Sequence, residues 1–386
     1  MRTDRPLAIV VIAYNRVASL QRLISSLLKA EYKVGNVPLI ISIDKSGDDA
    51  VERCAKDVVW PYGEKSIICH QERLGLKKHV LACGDLTKQY ENICVLEDDL
   101  YVSPYFYEYG LQMLDVYGGE RKIAGISLYS HQWNPYVDRP FSAIDDGCDI
   151  FALQIASSWG QIWSRGSWRE FVDWLDGVDE SELHSDSFPS EVANWSAKSW
   201  LKYHNKYLVE TGKYFLYPKV SLTTNFSDVG EHAFGSSAYQ VPLLMGEIRD
   251  YRRSEKFEDI SRYDAFFENE ALPRFLGLPS EMVDVSLYGN KIPTKKYLLT
   301  DESHPYAVVK SFSRNFRPMD LNVILGIAGN DIFLYDRSRV GEFRKMENRL
   351  MARKYLYEVR SSAKYLMLIS ALSLYIAAIR RKIFKK

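Results

Sequence analysis

The sequence predicts an α/β protein: a mostly parallel central sheet flanked by helices, with a helical extension at its C-terminal end. Three observations carry that reading. Short apolar runs at 7–13, 38–43, 65–70 and 93–96 alternate with segments of helical periodicity. The runs are rich in Val and Ile and apolar nearly throughout, as strands covered on both faces are. Residues 337–386 then turn basic and apolar, unlike everything before them.

In order, 7–13 (LAIVVIA) is the first strand, ended by Asn15 and Arg16. Leu20, Leu23, Ile24, Leu27 and Leu28 then recur at helical spacing and make 18–28 an amphipathic helix. The second strand, 38–43 (PLIISI), stops at Asp44 before the turn-forming KSGDD. A helix at 50–58, a strand at 65–70 (KSIICH) and a helix at 77–90 follow. The fourth strand, 93–96 (ICVL), runs into Glu97, Asp98 and Asp99. Ligands of parallel α/β sheets sit beyond the carboxyl ends of the strands. The site is therefore expected at 14–16, Asp44 and 97–99. Further on, the pattern predicts a helix at 105–117, a strand at 122–127, a helix at 196–211 closed by Gly212, and a strand near 214–217. Trp159 and Trp163, at i, i+4 spacing, are expected on a helix. Gly, Ser, Asp and His make 226–241 a loop, and 254–279 reads as a surface connection.

With 386 residues the chain can bury one large core and a smaller appendage. Lys+Arg and Asp+Glu are both 50, but the balance hides an asymmetry. Residues 337–386 hold 14 basic against 3 acidic groups, a net of +11, so the preceding residues carry −11. The five cysteines, Cys54, Cys69, Cys83, Cys94 and Cys148, form neither a CxxC pair nor a dense framework. They read as free thiols of a reducing compartment. The charged start at 1–5 lacks the apolar core of a secretory signal.

Glu97-Asp98-Asp99 is the sharpest local feature. Three adjacent carboxylates repel one another and call for a cation nearby. Their oxygens suit Mn²⁺ or Mg²⁺, which grip phosphate in turn. The alternative is a solvated acidic turn or a helix start.

The ordered set VVIAYNR, IISIDKSGDD and VLEDDLYVSPYFYEY resembles the nucleotide-sugar half of GT-A glycosyltransferases. It is similar to family 2-like bacterial enzymes and to N-acetylglucosaminyltransferase I. SSWGQIWSRGSW, KSWLKYH and YPKVSLTTNFSDVGEH resemble later segments of the same enzymes, so the resemblance covers roughly residues 7–240. It implies a GT-A domain over 1–250, with a nucleotide-sugar half at 1–130 and an acceptor half at 131–250. A connecting region at 251–335 and a tail at 336–386 would follow.

The resemblance also implies roles. Ala13, Tyr14, Asn15 and Arg16 would cup the nucleotide, and Asp44 would face base or ribose. Glu97 and Asp98 would contact ribose and sugar, and Asp99 would hold the metal. His232 is a candidate second metal ligand; its alternative is an idle loop histidine. Lys77 and Arg73 could reach the diphosphate or form a solvated basic face. Trp159, Trp163 and Trp200 could stack on sugar or acceptor, or lie in the core. The aspartate that serves as base in N-acetylglucosaminyltransferase I has no counterpart, since Lys198 and Ser199 stand there. Glu191 and Asp228 are the substitutes for the carboxylate that an inverting transfer needs.

Residues 365–379 (YLMLISALSLYIAAI) are apolar, with Lys364 before them and Arg380, Arg381, Lys382, Lys385 and Lys386 after. The stretch is short for a spanning helix and suits an interfacial one, held by anionic lipid. Packing on the body or on a second copy, giving a homo-oligomer, is the alternative. No nucleic-acid motif accompanies the charge. The expected protein is therefore a peripheral enzyme at the cytoplasmic face of a membrane. It would move a sugar, hexosyl or N-acetylhexosaminyl, from a UDP-sugar to a glycan or lipid-linked glycan in surface polysaccharide synthesis. Two rivals are a nucleotidyltransferase, which would carry a Gly-rich basic loop absent from VVIAYNRVASL, and a non-catalytic membrane-surface protein of the same fold.

Overall fold

The computed structural model describes residues 7–178, 188–226, 228, 239–341 and seven positions between 365 and 376. The first half alternates strands and helices: β1 (Leu7–Ala13), α1 (Val17–Leu28), β2 (Leu39–Ile43), α2 (Ala50–Asp57), β3 (Lys65–Cys69), α3 (Gly75–Gly84), β4 (Asn92–Glu97), β5 (Leu100–Val102), α4 (Phe106–Tyr117) and β6 (Ile123–Ser127). Then come β7 (Trp133–Asn134), β8 (Arg139–Pro140), β9 (Ile150–Leu153), β10 (Gln161–Ser164), α5 (Arg165–Leu175), α6 (Ser190–Ala193), α7 (Trp200–Thr211), β11 (Tyr214–Pro218), β12 (Thr223–Asn225) and β13 (Arg262–Tyr263). The last part comprises α8 (Leu272–Leu276), β14 (Val283–Ser286), β15 (Tyr297–Thr300), β16 (Tyr306–Phe312), α9 (Asp320–Ile324) and β17 (Ile332–Val340).

The main sheet has the order β13-β9-β11-β6-β10-β4-β1-β2-β3. β3, β2, β1 and β4 are parallel, while β10 lies antiparallel between β4 and β6. Side chains alternate across the sheet, which is why its strands are apolar at every position. Leu7, Ile9 and Val11 of β1 pack with Leu20, Leu23 and Leu27 of α1 and with Phe106 and Tyr109 of α4. Ala8, Val10 and Ile12 point the other way, into a core with Val80 of α3, Phe171 of α5 and Tyr203 of α7.

Several expectations are corrected. The segment holding Trp159 and Trp163 is not helical. Gly160, at φ +95°, turns the chain into the strand β10, and α5 starts only at Arg165, behind a capping box between Ser164 and Ser167. The third helix stops at Gly84 and gives way to a 3₁₀ turn, Asp85–Lys88, where the Thr87 hydroxyl donates to the Gly84 carbonyl at 2.8 Å. Residues 254–279 are not a surface connection: Phe257, Ile260, Tyr263, Phe267 and Leu272 are buried, and β13 extends the main sheet.

The region expected to be a connector also contains a second sheet, in the order β14-β15-β17-β16. It folds around Leu276, Val285, Leu299, Phe312, Val323 and Leu334. Buried polar contacts join it to the main domain. Arg139 donates to the Leu287 carbonyl and to Asp301, each at 3.0 Å, and Asn269 donates to Asp320 at 3.0 Å. Towards the C-terminus, Tyr365, Leu368, Ile369, Ala371, Leu372, Tyr375 and Ile376 are helical. Among the described residues, no helix is long and apolar enough to cross a membrane.

Candidate active site

The sheet register brings the expected residues to one level. Ala13 of β1 lies beside Ile43 of β2, and Ile12 lies beside Glu97 of β4. The residues just beyond these strands therefore share one rim. They line a cavity of about 180 Å³ that includes Ala13, Tyr14, Asn15, Arg16, Asp44 and all three carboxylates.

At the β4 end the compensating cation is Arg16, which precedes α1. Its guanidinium bonds Asp98, and its Nη1 donates to Asp99 Oδ2 at 3.1 Å. Arg16 lines the cavity and at the same time binds the carboxylates, a pairing that the sequence does not announce. Burial pushes the Glu97 carboxyl up to about 8, with the charges of Asp99 and Asp98 adding to the shift. Burial likewise raises Asp98 to about 6, against the pull of Arg16.

Asp99 Oδ1 is buried and has no hydrogen-bond partner among the described residues. An orphaned carboxylate oxygen is costly, and it is the donor that Mn²⁺ and Mg²⁺ prefer. Among the described residues no group of three or more His, Cys, Asp or Glu could hold a metal by itself. The residues present fit a divalent cation with Asp99 Oδ1 as one ligand. His232 lies outside the described residues.

At the β2 end, Asp44 is buried, and its carboxylate is occupied by backbone. Leu74 N donates to Oδ1 at 2.8 Å, and Gly75 N donates to Oδ2 at 2.9 Å. Gly75, at φ +72°, turns the chain into α3 with its N–H aimed at this carboxylate. Asp44 is thus a tertiary cap for α3 on the wall of the cavity. The Arg73 guanidinium lies 5.0 Å from the Tyr14 ring, and both line the cavity.

Sequence reasoning missed three residues at this end. His79, deep in α3, bonds the Ser42 hydroxyl at 2.8 Å, and His70 bonds the same hydroxyl at 3.1 Å. Ser42 is the one polar residue in an otherwise apolar buried strand, and a buried hydroxyl needs partners. That was the available signal.

The other candidates are placed as follows. Lys77 does not line the cavity; its ammonium lies 3.6 Å from the Tyr203 ring centroid. Trp163 and Trp200 are almost fully buried and pack edge to face at 5.7 Å, so a stacking role for them is corrected to a core role. Trp159 is half-buried against Tyr129 and Tyr239, at centroid distances of 4.7 and 4.8 Å. It sits two residues before Gln161, and its carbonyl accepts from the Thr223 hydroxyl at 2.6 Å. Glu191 is exposed on α6 and Asp228 is bound by Arg22 and by Ser19 Oγ (2.6 Å); neither lines the cavity. Burial would raise Asp228, but the bonds from Ser19 and Arg22 bring its pKa below the ordinary value. That is the wrong direction for a base.

Residues 8–161, under half of the chain, match the model of Glycosyl transferase family 2. No curated protein matches in sequence. Among solved structures, the chain is similar to the mannosyltransferase PcManGT from Pyrobaculum calidifontis in complex with GDP-Man and Mn²⁺. There the identity is 14%, the TM-score 0.35, and the alignment covers 57% of this chain and 58% of that one. It is also similar to S. aureus TarS 1–349 in complex with UDP-GlcNAc (14%, TM-score 0.39, 59% and 60%). A third is GalNAc-T7 with UDP, GalNAc and Mn²⁺ (12%, TM-score 0.39, 56% and 43%). The chain spans less than two thirds of each of these proteins.

Proposed function

We propose that the chain transfers a sugar from a nucleotide-sugar donor, a UDP-sugar, held in this cavity; the match of residues 8–161 to the model of Glycosyl transferase family 2 supports the reading. The observation that carries the proposal is the pairing of Arg16 with Asp98 and Asp99 while Asp99 Oδ1 stays buried and, among the described residues, unpartnered. Asp99 would hold Mn²⁺ or Mg²⁺, which supplies positive charge to the departing diphosphate. Arg16 pairs with Asp98 and Asp99, and its own charge would be partly free to answer phosphate when a second cation shares the acidic cluster. Glu97, on the cavity wall beside them, would contact ribose or donor-sugar hydroxyls. Trp159, half-buried against Tyr129 and Tyr239, would offer a ring face to the sugar or the acceptor.

The acceptor proposed is a glycan or lipid-linked glycan, and the reaction an inverting hexosyl or N-acetylhexosaminyl transfer at the cytoplasmic face of a membrane, in surface polysaccharide synthesis. Supporting the membrane part, Tyr365, Leu368, Ile369, Leu372, Tyr375 and Ile376 are exposed at helical spacing, next to the cationic end of the chain.

Thermal unfolding against nucleoside diphosphates and nucleotide sugars, with and without Mn²⁺, tests the donor site. One nucleotide is expected to stabilise the wild type only with metal, by about 2.7 kcal/mol at a hundredfold excess over Kd. Asp99→Ala is expected to abolish that gain. A folded wild type stabilised by none of them would sink the proposal.

A further inference from the structure

Resting on that donor-site reading, we propose that His79, set by Ser42 and His70, is the residue that discriminates the nucleobase. The sheet order decides which end of the cavity takes which part of the donor. Phosphates belong with the carboxylates and Arg16 beyond β4. β2 lies two strands away, roughly 10 Å at the usual strand spacing. The nucleoside must extend in that direction, towards Tyr14, Asp44, Arg73 and His79.

Of the polar groups at that end, Asp44 already receives Leu74 N, Gly75 N and its neighbour Lys45 N. His79 is different. Its ring is only 2% exposed, yet it lines the cavity. Nε2 is committed to Ser42, and Nδ1 has no hydrogen-bond partner among the described residues. His70 stands edge-on to it at 5.0 Å, on the same hydroxyl.

The Ser42 hydroxyl, bonded by both Nε2 atoms, couples the two histidine tautomers. If Ser42 donates to His79, the proton of His79 sits on Nδ1, which then donates into the cavity. If Ser42 donates to His70, His79 donates from Nε2, and Nδ1 accepts. Either way the polar edge presented to a ligand is a single ring nitrogen. Burial, aided by His70, lowers the His79 pKa to about 4, so this nitrogen carries no charge near neutrality. A neutral group adds little to diphosphate affinity but distinguishes one base edge from another, because a mismatched edge leaves a buried donor or acceptor unpaired.

Calorimetric titration of UDP, GDP, ADP, CDP and pyrophosphate, all with Mn²⁺, into wild type, His79→Phe, His79→Gln and Ser42→Ala tests this. The nucleotide preferred by the wild type should lose about tenfold in affinity in His79→Phe, and the four nucleotides should converge to within about threefold. Pyrophosphate should bind unchanged. Ser42→Ala, which keeps the ring but frees its tautomer, should lose part of the same preference. His79→Gln, a polar replacement, carries the test if the Phe variant does not fold, and should alter the ranking. An unchanged ranking in folded variants, or an equal loss for pyrophosphate, overturns the inference while leaving the donor site intact. A wild type that binds none of the five removes the donor site and the inference with it.

Discussion

Replacing Asp44 by Asn exchanges one carboxylate oxygen for an NH₂ group and separates a structural role from a ligand-facing one. In the folded protein the carboxylate accepts from two backbone N–H groups, Leu74 at 2.8 Å and Gly75 at 2.9 Å, at the start of α3. The amide keeps one accepting oxygen and sets an NH₂ against the other N–H. A hydrogen bond to a charged acceptor contributes about 1.5–3 kcal/mol, and a carboxylate at a helix N-terminus about 0.3–1 kcal/mol more. The expected loss is therefore about 2–4 kcal/mol, a large share of the stability of an ordinary domain. Urea unfolding followed by circular dichroism measures it, with the slope m checked for constancy. Binding of Mn²⁺ with pyrophosphate should survive, because 97–99 and Arg16 are untouched. A loss below about 0.5 kcal/mol, within the range of ordinary surface substitutions, would refute the capping role. Asp44 would then act on the ligand instead.

Trp163→Ala and Trp200→Ala should each cost about 3–5 kcal/mol of stability, as core tryptophans do, whereas Trp159→Ala should cost less and act on acceptor KM. Equal destabilisation by all three would place Trp159 in the core as well. Burial raises the Glu268 carboxyl to about 8, above its ordinary 4.5, with Asp264 adding to the shift. Its contribution is thus fully present below about pH 4.5 and lost as the pH rises through about 8. Glu268→Gln should gain in melting temperature relative to wild type between pH 5 and 8.5, and a pH-independent difference would contradict this. The full chain should float with anionic but not zwitterionic vesicles, and Leu368→Glu with Leu372→Glu should abolish it. Retained flotation in that double variant would exclude the apolar face as the anchor.

Much of the first half was legible in the sequence, because a strand covered on both faces must be apolar at every position. LAIVVIA, PLIISI and ICVL announced β1, β2 and β4 within a residue or so, and the rule that ligands gather beyond parallel strands then located 14–16, Asp44 and 97–99. Tryptophan spacing misled, since i, i+4 aromatics fit a helix unless a residue such as Gly160 breaks it and the next strand has a place waiting between two others. The buried stretch around Tyr263 and Phe267 was read as surface because its apolar residues follow neither period.

What the sequence by itself determined was the order of strands and helices over the first hundred residues and the run of carboxylates at the end of β4, both local properties of the chain. Partnerships across long separations were decided only by the tertiary structure. Arg16 meets Asp98 and Asp99 some eighty residues away, and Asp44 meets Gly75. Ser42 gathers His70 and His79, and Asp228 closes on Arg22. The physical reason is that a charge or hydroxyl specifies only that it must be satisfied when buried. Which group satisfies it depends on sheet register and helix packing, and these are set by the apolar residues between.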